Sequence, residues 1–291
     1  MTTARDPDWI NDPVAKLRAW RDARPEVVAP VLPEGVSMTA LAPDGGCPGG
    51  LVFAPPAAGD ASGGSISVRG NAKADRLPVV YFHGGGFIVG SPWTHRIVTA
   101  WIAGETGAKV ISAAYSLAPE QPFPAPARDA VAAVRRQLAG ADRLRLMGDS
   151  AGGLVALWAF AGLSPEERAR IDSVTLFYPG AGPGMAPAPG NPGHEADGLG
   201  PKSLAAYHRQ LDPHGLIAGD PRFDPLTAGF PLPPRLVILG AGADPMLRDS
   251  EALAHRLQGR LILAPGQEHG FLGALPAGPA LGLLRAALGL C

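Results

Sequence analysis

The segment 148–152, with the sequence Gly-Asp-Ser-Ala-Gly, constrains the fold of this 291-residue chain more than any other feature. It follows the apolar run 144–147 and precedes a second apolar stretch, 154–158, that is compatible with a helix. A Gly-x-Ser-x-Gly segment between a strand and a helix forms a tight turn in which the serine backbone is strained and small flanking residues avoid clashes. The turn is expected to present the hydroxyl of Ser150 at a helix N-terminus, where developing negative charge is stabilised.

Other groups must assist a serine hydroxyl before it can act as a nucleophile. A base takes its proton, an acid fixes the tautomer of the base, and amide donors hold the oxyanion of the tetrahedral intermediate. On a strand–turn–helix scaffold these groups follow the chain order of oxyanion loop, serine, acid and histidine. The chain has a candidate for each group in this order, and every candidate follows a strand-like run.

The predicted oxyanion loop is 83–87, His-Gly-Gly-Gly-Phe, which comes after the strand-like run 77–82. Three successive glycines allow the backbone to turn its amides inward and to approach a substrate closely. A phosphate-binding loop is the alternative, but the Gly-Lys-Ser/Thr of such a loop does not follow. The amide of Ala151, the residue after the serine, is the further expected donor.

The predicted acid is Asp244, which follows the strand-like run 235–239. It would therefore lie at the carboxyl end of a strand, where the catalytic residues of open α/β sheets collect. The alternative is that Asp244 only caps the helix that begins near Pro245, and the two roles are compatible. Asp249, about one turn inside that helix, is the weaker candidate for the acid.

Position along the chain selects the base among seven histidines. His269 follows the strand-like run 260–264, comes after the acid and precedes a glycine that permits a loop. The alternative for His269 is a hydrogen-bonded loop histidine without a chemical role. Three of the other histidines lie in helix-like segments and are expected at the surface (His95, His208, His255), and two lie in polar loops (His194, His214). His83 belongs to the glycine loop and is expected to orient it.

From residue 79 onward, strand-like runs alternate with helical patterns. Strands are predicted near 79–83, 109–114, 143–147, 173–178, 235–239 and 260–264, and helices near 95–105, 126–139, 151–163, 246–258 and 277–289. This alternation predicts an α/β fold in which helices cover both faces of a mostly parallel sheet. Residues 34–76 are expected to hold antiparallel strands, whose register the glycines and prolines make unreadable.

A chain of this length and pattern is expected to form one domain, 1–291, with excursions from the sheet. Apolar residues at helical spacing predict a helix over 7–24, within a cap region expected over 1–35. Residues 179–234 form a long excursion with one predicted helix, 201–211. Insertions of this length at the carboxyl edge of a sheet usually form lids or pockets, and a decorative loop is the alternative.

At these motifs the chain resembles the hormone-sensitive-lipase-like branch of the α/β-hydrolases, which contains many bacterial carboxylesterases. The resemblance covers most of residues 77–272. It rests on the motifs HGGGF at 83–87, YSLAPE at 115–120, FPA at 123–125, GDSAGG at 148–153, DPMLRD at 244–249 and HGF at 269–271. The chain departs from the family in a long connection over 55–76, a compressed segment at 259–261 and a Gly/Pro-rich segment at 180–201, whose role the sequence leaves open.

The resemblance implies a triad of Ser150, Asp244 and His269. It also implies an oxyanion hole formed by Ala151 and by two of the three glycines Gly84, Gly85 and Gly86. An N-terminal helix would contribute to the cap, with packing on the body as the alternative. The implied activity is hydrolysis of short- to medium-chain carboxylic esters. A hydrolase of an amide, carbamate or lactone is the first alternative, and a non-catalytic ligand-binding protein is the second.

Composition limits the partners of the chain. The net charge is −1 and the basic residues are scattered, which argues against nucleic acid and against an anionic membrane. No apolar window approaches the ~18 residues of a membrane span, and no signal peptide is visible, so a cytoplasmic protein is expected. We expect a small-molecule ester as the partner, and the sequence leaves open a monomer or a homodimer.

No metal and no organic cofactor are expected. Cys47 lies in a Gly/Pro loop and Cys291 is the last residue, so they form neither a metal motif nor a disulfide framework. Gly240-x-Gly242 lacks the rest of a dinucleotide fingerprint, and His194-Glu195 lacks the second histidine of a zinc site.

Overall fold

The computed structural model describes residues 7–55, 76–182, 193 and 198–290, and the structural statements below refer to these residues. The strands are β1 (Ser37–Leu41), β2 (Gly50–Ala54), β3 (Val79–Phe82), β4 (Val110–Ala113), β5 (Leu144–Asp149), β6 (Ile171–Phe177), β7 (Leu236–Ala241) and β8 (Arg260–Ala264). The α-helices are α1 (Val14–Asp22), α2 (Pro25–Val28), α3 (Arg96–Thr106), α4 (Ala125–Leu138), α5 (Ala151–Ala161), α6 (Pro165–Arg168), α7 (Pro201–Leu211), α8 (Leu247–Arg256) and α9 (Ala280–Leu288). A short 3₁₀ helix covers Phe271–Ala274.

The strands form a single sheet in the order β1-β2-β4-β3-β5-β6-β7-β8. From β4 to β8 along this order, every neighbouring pair is parallel. β1 pairs with β2, and β2 with β4, in antiparallel fashion. The predicted α/β fold with a mostly parallel sheet is confirmed, and β5, which leads into the serine turn, lies inside the sheet.

Apolar side chains pack on both faces of the sheet because successive residues of a strand point to opposite sides. On β3, Val80 and Phe82 join one buried cluster with residues of α4 and α5. Val79 and Tyr81 join a second cluster with residues of α3 and α9. Helices therefore cover both faces, which explains why the central strands are apolar throughout instead of alternating with polar residues.

The six strands predicted from residue 79 onward all form within two residues of the expected bounds. The antiparallel strands before residue 76 are β1 and β2, and the register pairs Ser37 with Ala54 and Leu41 with Gly50. α6 was not predicted, although Ser164 and Glu167 form a capping box at its start. The connection 56–75 and the segments 183–192 and 194–197 lie outside the described residues.

The N-terminal helix is shorter than the predicted 7–24. The side chain of Asp8 accepts hydrogen bonds from the amides of Ile10 and Asn11, which holds these residues in a turn. Pro13 then precedes the first residue of α1, and Pro25 begins the separate helix α2. Proline is tolerated in the first turn of a helix but interrupts a helix that is already running, so the sequence produces two short helices instead of one.

The N-terminal region packs beside the glycine loop and α7. Trp9 and Leu17 are buried in a small cluster with Ile88, Val89 and Tyr207. The rings of Trp9 and Tyr207 meet edge to face with centroids 6.2 Å apart. Residues from both predicted cap segments thus contact each other close to the carboxyl edge of the sheet.

Candidate active site

Ser150 lies in the tight turn between β5 and α5, with φ 53° and ψ −125°. Its amide donates to the carbonyl of Phe177 on the neighbouring strand at 2.9 Å. A Cβ at Gly148 would lie 2.3 Å from the carbonyl oxygen of Gly152, and a Cβ at Gly152 would lie 2.1 Å from that of Phe82. Both glycines are therefore required by close backbone approach, and the strained serine conformation depends on them.

Three side chains from distant parts of the chain form a continuous hydrogen-bonded chain. His269 Nε2 lies 2.8 Å from Ser150 Oγ, and His269 Nδ1 lies 2.6 Å from Asp244 Oδ2. The other carboxylate oxygen of Asp244 accepts from the amide of Met246 at 2.8 Å. Asp244 therefore has both roles considered from the sequence, because it contacts the histidine and also closes the turn that leads into α8.

The position of His269 determines its protonation. Burial alone lowers the pKa of His269, but the charge of Asp244 and the hydrogen bond to it outweigh burial and raise the pKa above its ordinary value of 6.5. The Asp244 carboxylate accepts from Nδ1, so in the neutral imidazole Nε2 is left to accept the serine proton. This is the arrangement that a serine nucleophile needs from its base.

Asp249, the weaker candidate for the acid, does not contact His269. Its Oδ2 accepts from the amide of Ala181 at 2.8 Å. Burial raises the pKa of Asp249 to about 7, the amide of Ala181 opposes the rise, and the charge of Asp244 adds to it. Asp249 thus fixes the chain that leaves β6, and Asp244 is the carboxylate in contact with the histidine.

The glycine loop lies against the serine turn, and its three glycine amides differ in their hydrogen bonding. Gly84 donates its N–H to Asp149 Oδ1 at 2.9 Å. Among the described residues, the amides of Gly85, Gly86 and Ala151 have no acceptor. Gly85 and Gly86 line the same cavity as Ser150. Of the four amides that the sequence singles out, Gly84 is therefore already engaged, and within the described part of the chain the other three are free to donate to a substrate.

A buried carboxylate, Asp149, connects the serine turn to the glycine loop. Besides the amide of Gly84, it accepts from the hydroxyl of Tyr81 at 2.5 Å and lies 3.5 Å from His95 Nε2. Burial raises the pKa of Asp149, but the charge of His95 and hydrogen bonds from His95 and Tyr81 outweigh burial and lower it to about 2. Sequence reasoning missed this cluster. The signal was a charged residue between an apolar strand and the serine, which must be buried and therefore needs partners.

The prediction that His95 lies on an exposed helix face is wrong, since His95 is only 5% exposed. The residue precedes α3, and most residues of α3 are buried between the sheet and neighbouring segments, including both of its threonines. Because α3 is buried on most of its surface, the residue at its start, His95, is buried as well. Of the remaining histidines, His208 is half-buried, His214 and His255 are exposed, and His194 lies outside the described residues.

His83 holds the glycine loop in place, as predicted. Its Nδ1 lies 2.8 Å from the carbonyl oxygen of Gly84, and its ring stacks on Tyr115 with centroids 4.3 Å apart. The Tyr115 hydroxyl donates to the His83 carbonyl at 2.7 Å. Burial and the charge of His95 lower the pKa of His83 to about 3, so the ring is neutral and its Nδ1–H donates to Gly84.

A cavity of about 630 Å³ opens above Ser150. Its lining includes His269, the free glycines of the loop, Trp9 and Trp20 from the N-terminal region, and Tyr207 from α7. Both predicted cap segments therefore contribute to the walls. Within the described ranges, no cluster of His, Cys, Asp and Glu side chains has the composition of a metal site. The helices of the same ranges are too short or too polar to cross a membrane.

Comparisons with known proteins agree with this fold and motif set. The family model of the alpha/beta hydrolase fold matches residues 79–273. An acetyl-hydrolase of Streptomyces hygroscopicus is 40% identical over 95 residues, which are 32% of this chain and 32% of the relative. An ethyl acetate hydrolase of Pseudomonas putida is 29% identical over 213 residues, 67% of this chain and 65% of the relative. The match therefore spans about a third of the first relative and just under two thirds of the second.

A similarity to solved structures extends over nearly the whole chain. A hormone-sensitive lipase from a metagenome library is 25% identical, with a TM-score of 0.74, over 96% of this chain and 91% of that chain. The sheet order, the serine turn and the family match define the class of the protein, which is that of the α/β-hydrolases. The chain belongs to the α/β-hydrolase family, and its resemblance to the hormone-sensitive-lipase-like carboxylesterases within that family is confirmed.

Proposed function

We propose that this chain is a serine carboxylesterase that hydrolyses short- to medium-chain esters through an acyl-enzyme. The observation that carries the proposal is the contact of His269 with both Ser150, at 2.8 Å, and Asp244, at 2.6 Å. These distances are those of a nucleophile in hydrogen-bond contact with its base and of a base oriented by an acid.

In the acylation step, Nε2 of His269 takes the proton of Ser150 as the serine Oγ attacks the ester carbonyl. The imidazolium that forms is stabilised by the carboxylate of Asp244, which is buried beside it. His269 then gives its proton to the leaving alcohol oxygen as the bond to the carbonyl carbon breaks. The product of this half-reaction is an ester of Ser150, and no metal or organic cofactor takes part in it.

The oxyanion of the tetrahedral intermediate would accept from the amides of Gly85, Gly86 and Ala151. This choice is supported by the contact of the Gly84 amide with Asp149, which removes the fourth candidate. Donors of this kind act on charge that develops in the transition state, and each is worth about 3 to 4 kcal/mol of the barrier. Ala151 begins α5, so the helix N-terminus adds to the stabilisation of the negative charge.

In the deacylation step, water replaces the alcohol. His269 takes a proton from this water, the water oxygen attacks the acyl carbonyl, and the same three amides hold the second oxyanion. Collapse of the intermediate returns the proton from His269 to Ser150 Oγ and releases the carboxylic acid. The range of acyl chains is supported by the names of the acetyl-hydrolase and ethyl acetate hydrolase relatives.

The test is hydrolysis of p-nitrophenyl esters, from acetate to decanoate and longer, by the wild type and by Ser150→Ala. We expect wild-type turnover with an optimum at short to medium chains. Loss of the nucleophile should lower kcat/KM by roughly 10⁴-fold or more. Labelling by a fluorophosphonate, with Ser150→Ala as the unlabelled control, reports the activated serine independently of the substrate.

The combination of the two measurements separates the alternatives. A wild type that is labelled but inert on every ester would favour an amide, carbamate or lactone as the substrate, since the same triad serves these bonds. A wild type that is neither labelled nor active would favour a non-catalytic binding protein. Equal activity of the wild type and Ser150→Ala would overturn the mechanism.

The organisation around this site is part of the proposal. We infer one domain over 1–291, with cap contributions from 1–35 and 179–234, since residues of both segments line the cavity over Ser150. The cytoplasmic location and the choice between monomer and homodimer stay predictions from the sequence. Light scattering coupled to size-exclusion chromatography measures the oligomeric state directly.

A further inference from the structure

A cationic side chain, Arg21 of α1, lies in the wall of the active-site cavity together with Arg24 and Glu26. The side chain of Arg21 is only 25% exposed. The one polar contact of this side chain among the described residues is a long one, from Nη1 to Glu26 Oε1 at 3.5 Å. A guanidinium carries five N–H donors and cannot lose its charge, so most of the hydrogen-bonding capacity of Arg21 is unused among the described residues of this wall.

Glu26 is shared between two arginines and cannot neutralise both. The same Oε1 atom accepts from Arg24 Nε at 2.9 Å, which is the closer of the two contacts. Arg24 is in addition placed over the ring of Trp20, 4.8 Å from its centroid. Within this group of three side chains, two cations and one carboxylate leave one positive charge in excess, and Arg21 makes the longer of the two contacts with Glu26. The other carboxylates of the lining, Asp149 and Glu268, make no contact with Arg21 among the described residues.

The charge of Arg21 reaches the groups that surround the triad. Burial raises the pKa of Tyr178, and Arg21 is among the charges that oppose the rise. The ring of Tyr178 in turn meets the ring of His269 edge to face, 5.1 Å from centroid to centroid. Arg21 therefore shares the lining of one cavity with Ser150 and Tyr178 and is not a remote surface residue.

We propose that Arg21 forms an anion-recognition subsite of this cavity, which selects esters that carry a second, ionised carboxylate. The inference rests on the esterase function proposed above and names the substrate class of that same site. A carboxylate matches the planar fork of a guanidinium, and the single charge of the carboxylate matches the one positive charge in excess among Arg21, Arg24 and Glu26. A dianionic phosphate ester would leave one negative charge uncompensated near Glu26, so a monoanion is the better match.

Matched pairs of substrates test the subsite on both sides of the ester bond. The acyl side is tested with monomethyl adipate against methyl hexanoate, followed by acid release, and the alcohol side with 3-acetoxybenzoate against phenyl acetate. The readout is the ratio of kcat/KM for the anionic ester to that for its neutral partner, determined separately for each variant. Changes that affect folding or the triad alter both members of a pair and cancel in this ratio.

Arg21→Gln should lower the ratio about tenfold for at least one pair, the factor that corresponds to 1.4 kcal/mol of lost interaction. Glu26→Gln should raise the ratio, because it frees both arginines for the substrate. We expect a rise of about threefold, which is the ordinary strength of an ion pair between partly exposed groups. Damage to the fold cannot raise the ratio. A fall in Arg21→Gln together with a rise in Glu26→Gln would therefore report the charge of the subsite and not the stability of the variants. Arg209→Gln removes an equal charge from an exposed position of α7 outside the lining and should leave the ratio unchanged.

An unchanged ratio in Arg21→Gln for both pairs would overturn the subsite, as would equal loss of the ratio in Arg209→Gln. Hydrolysis of the neutral esters tests the proposed esterase function independently of the subsite. If the wild type hydrolyses methyl hexanoate and phenyl acetate but shows no dependence on Arg21, only the subsite is wrong. If it hydrolyses none of the four esters, the esterase proposal itself fails.

Discussion

The carboxylate of Asp149 lies 2.9 Å from the amide nitrogen of Gly84, so the residue before the nucleophile holds the first glycine of the loop that faces it. The contact joins two segments that are 65 residues apart in the sequence. It also decides which amides of the loop remain free, because among the described residues the amide of Gly84 has an acceptor and the amides of its two successors have none. The positions of the proposed oxyanion donors thus depend on a carboxylate that takes no part in proton transfer.

Asp149→Asn is expected to lower kcat about tenfold or more while KM changes little. The substitution weakens the hold on Gly84 and misplaces donors that act only in the transition state, where loss of a single donor costs about 10² to 10³ in kcat. Steady-state kinetics on a short p-nitrophenyl ester measures the split. Tyr81→Phe removes one hydrogen bond to the same carboxylate and retains the ring, so a smaller loss in the same parameter is expected. A change confined to KM in either variant would contradict the assignment.

The pH profile of kcat/KM should have an acid limb with a midpoint above 6.5. His269 must be neutral to accept the serine proton, and the charge of Asp244 raises the pKa of His269 above that value despite burial. Activity is therefore expected to fall as the pH falls through this raised pKa. In Asp244→Asn the raising charge is gone, so the midpoint should move down while the rate falls by roughly 10⁴-fold. A midpoint that stays in place in Asp244→Asn would show that another group governs the limb.

Two glycine-to-alanine substitutions should have opposite effects. A Cβ at Gly152 would meet the carbonyl oxygen of Phe82 at 2.1 Å, so Gly152→Ala must displace backbone beneath the serine and should abolish activity. A Cβ at Gly282, exposed within α9, has no heavy atom within 4 Å. Gly282→Ala should stabilise the protein by about 0.5 to 1 kcal/mol through helix propensity. Thermal unfolding and ester hydrolysis of both variants give the comparison, and a destabilised Gly282→Ala would argue against the described environment.

Asp249 should make the protein less stable at alkaline than at acidic pH. Burial raises the pKa of Asp249 from 3.8 to about 7, so the folded state retains a proton that the unfolded state releases. The stability contributed by this proton is fully present below pH 3.8 and is lost as the pH rises through about 7. Asp249→Asn keeps an oxygen that can accept from Ala181 but does not ionise.

The gain in melting temperature of Asp249→Asn over the wild type is therefore expected to be larger at pH 8 than at pH 5. Differential scanning fluorimetry at the two pH values measures both proteins side by side. An equal difference at the two pH values would mean that Asp249 does not titrate between them, and the proposed cause of the pH dependence would be lost.

Much of the fold could be predicted because its signals are local. The apolar runs of β3 and β5 need only their own residues to indicate buried strands, and the glycines around Ser150 indicate a tight turn by their spacing alone. The limits of α1 were less accessible, since the predicted helix over 7–24 begins only after a turn at Asp8 and after Pro13, and ends before Pro25. The sequence contains these signals, but helical spacing of the apolar residues obscured them.

The candidate site was predictable in its membership more than in its arrangement. The order of Ser150, Asp244 and His269 along the chain identified them as candidates for the triad. Their contacts, however, join residues that are far apart in the sequence, 25 positions between His269 and Asp244 and 119 between His269 and Ser150. His95 shows the opposite outcome, because its apolar neighbours in α3 are consistent with burial but nothing near it in the sequence indicates a contact with Asp149. Which side chains meet across such separations depends on how the strands order themselves in the sheet.

By itself the sequence determined the strands, the serine turn and the residue types that the turn needs, because each follows from neighbours within a few positions. Only the tertiary structure decided which glycine amides stay free, that Asp249 faces Ala181 instead of His269, and that Arg21 enters the cavity wall. These features result from the packing of separate elements, whose distances and burial are set when the sheet and its helices assemble.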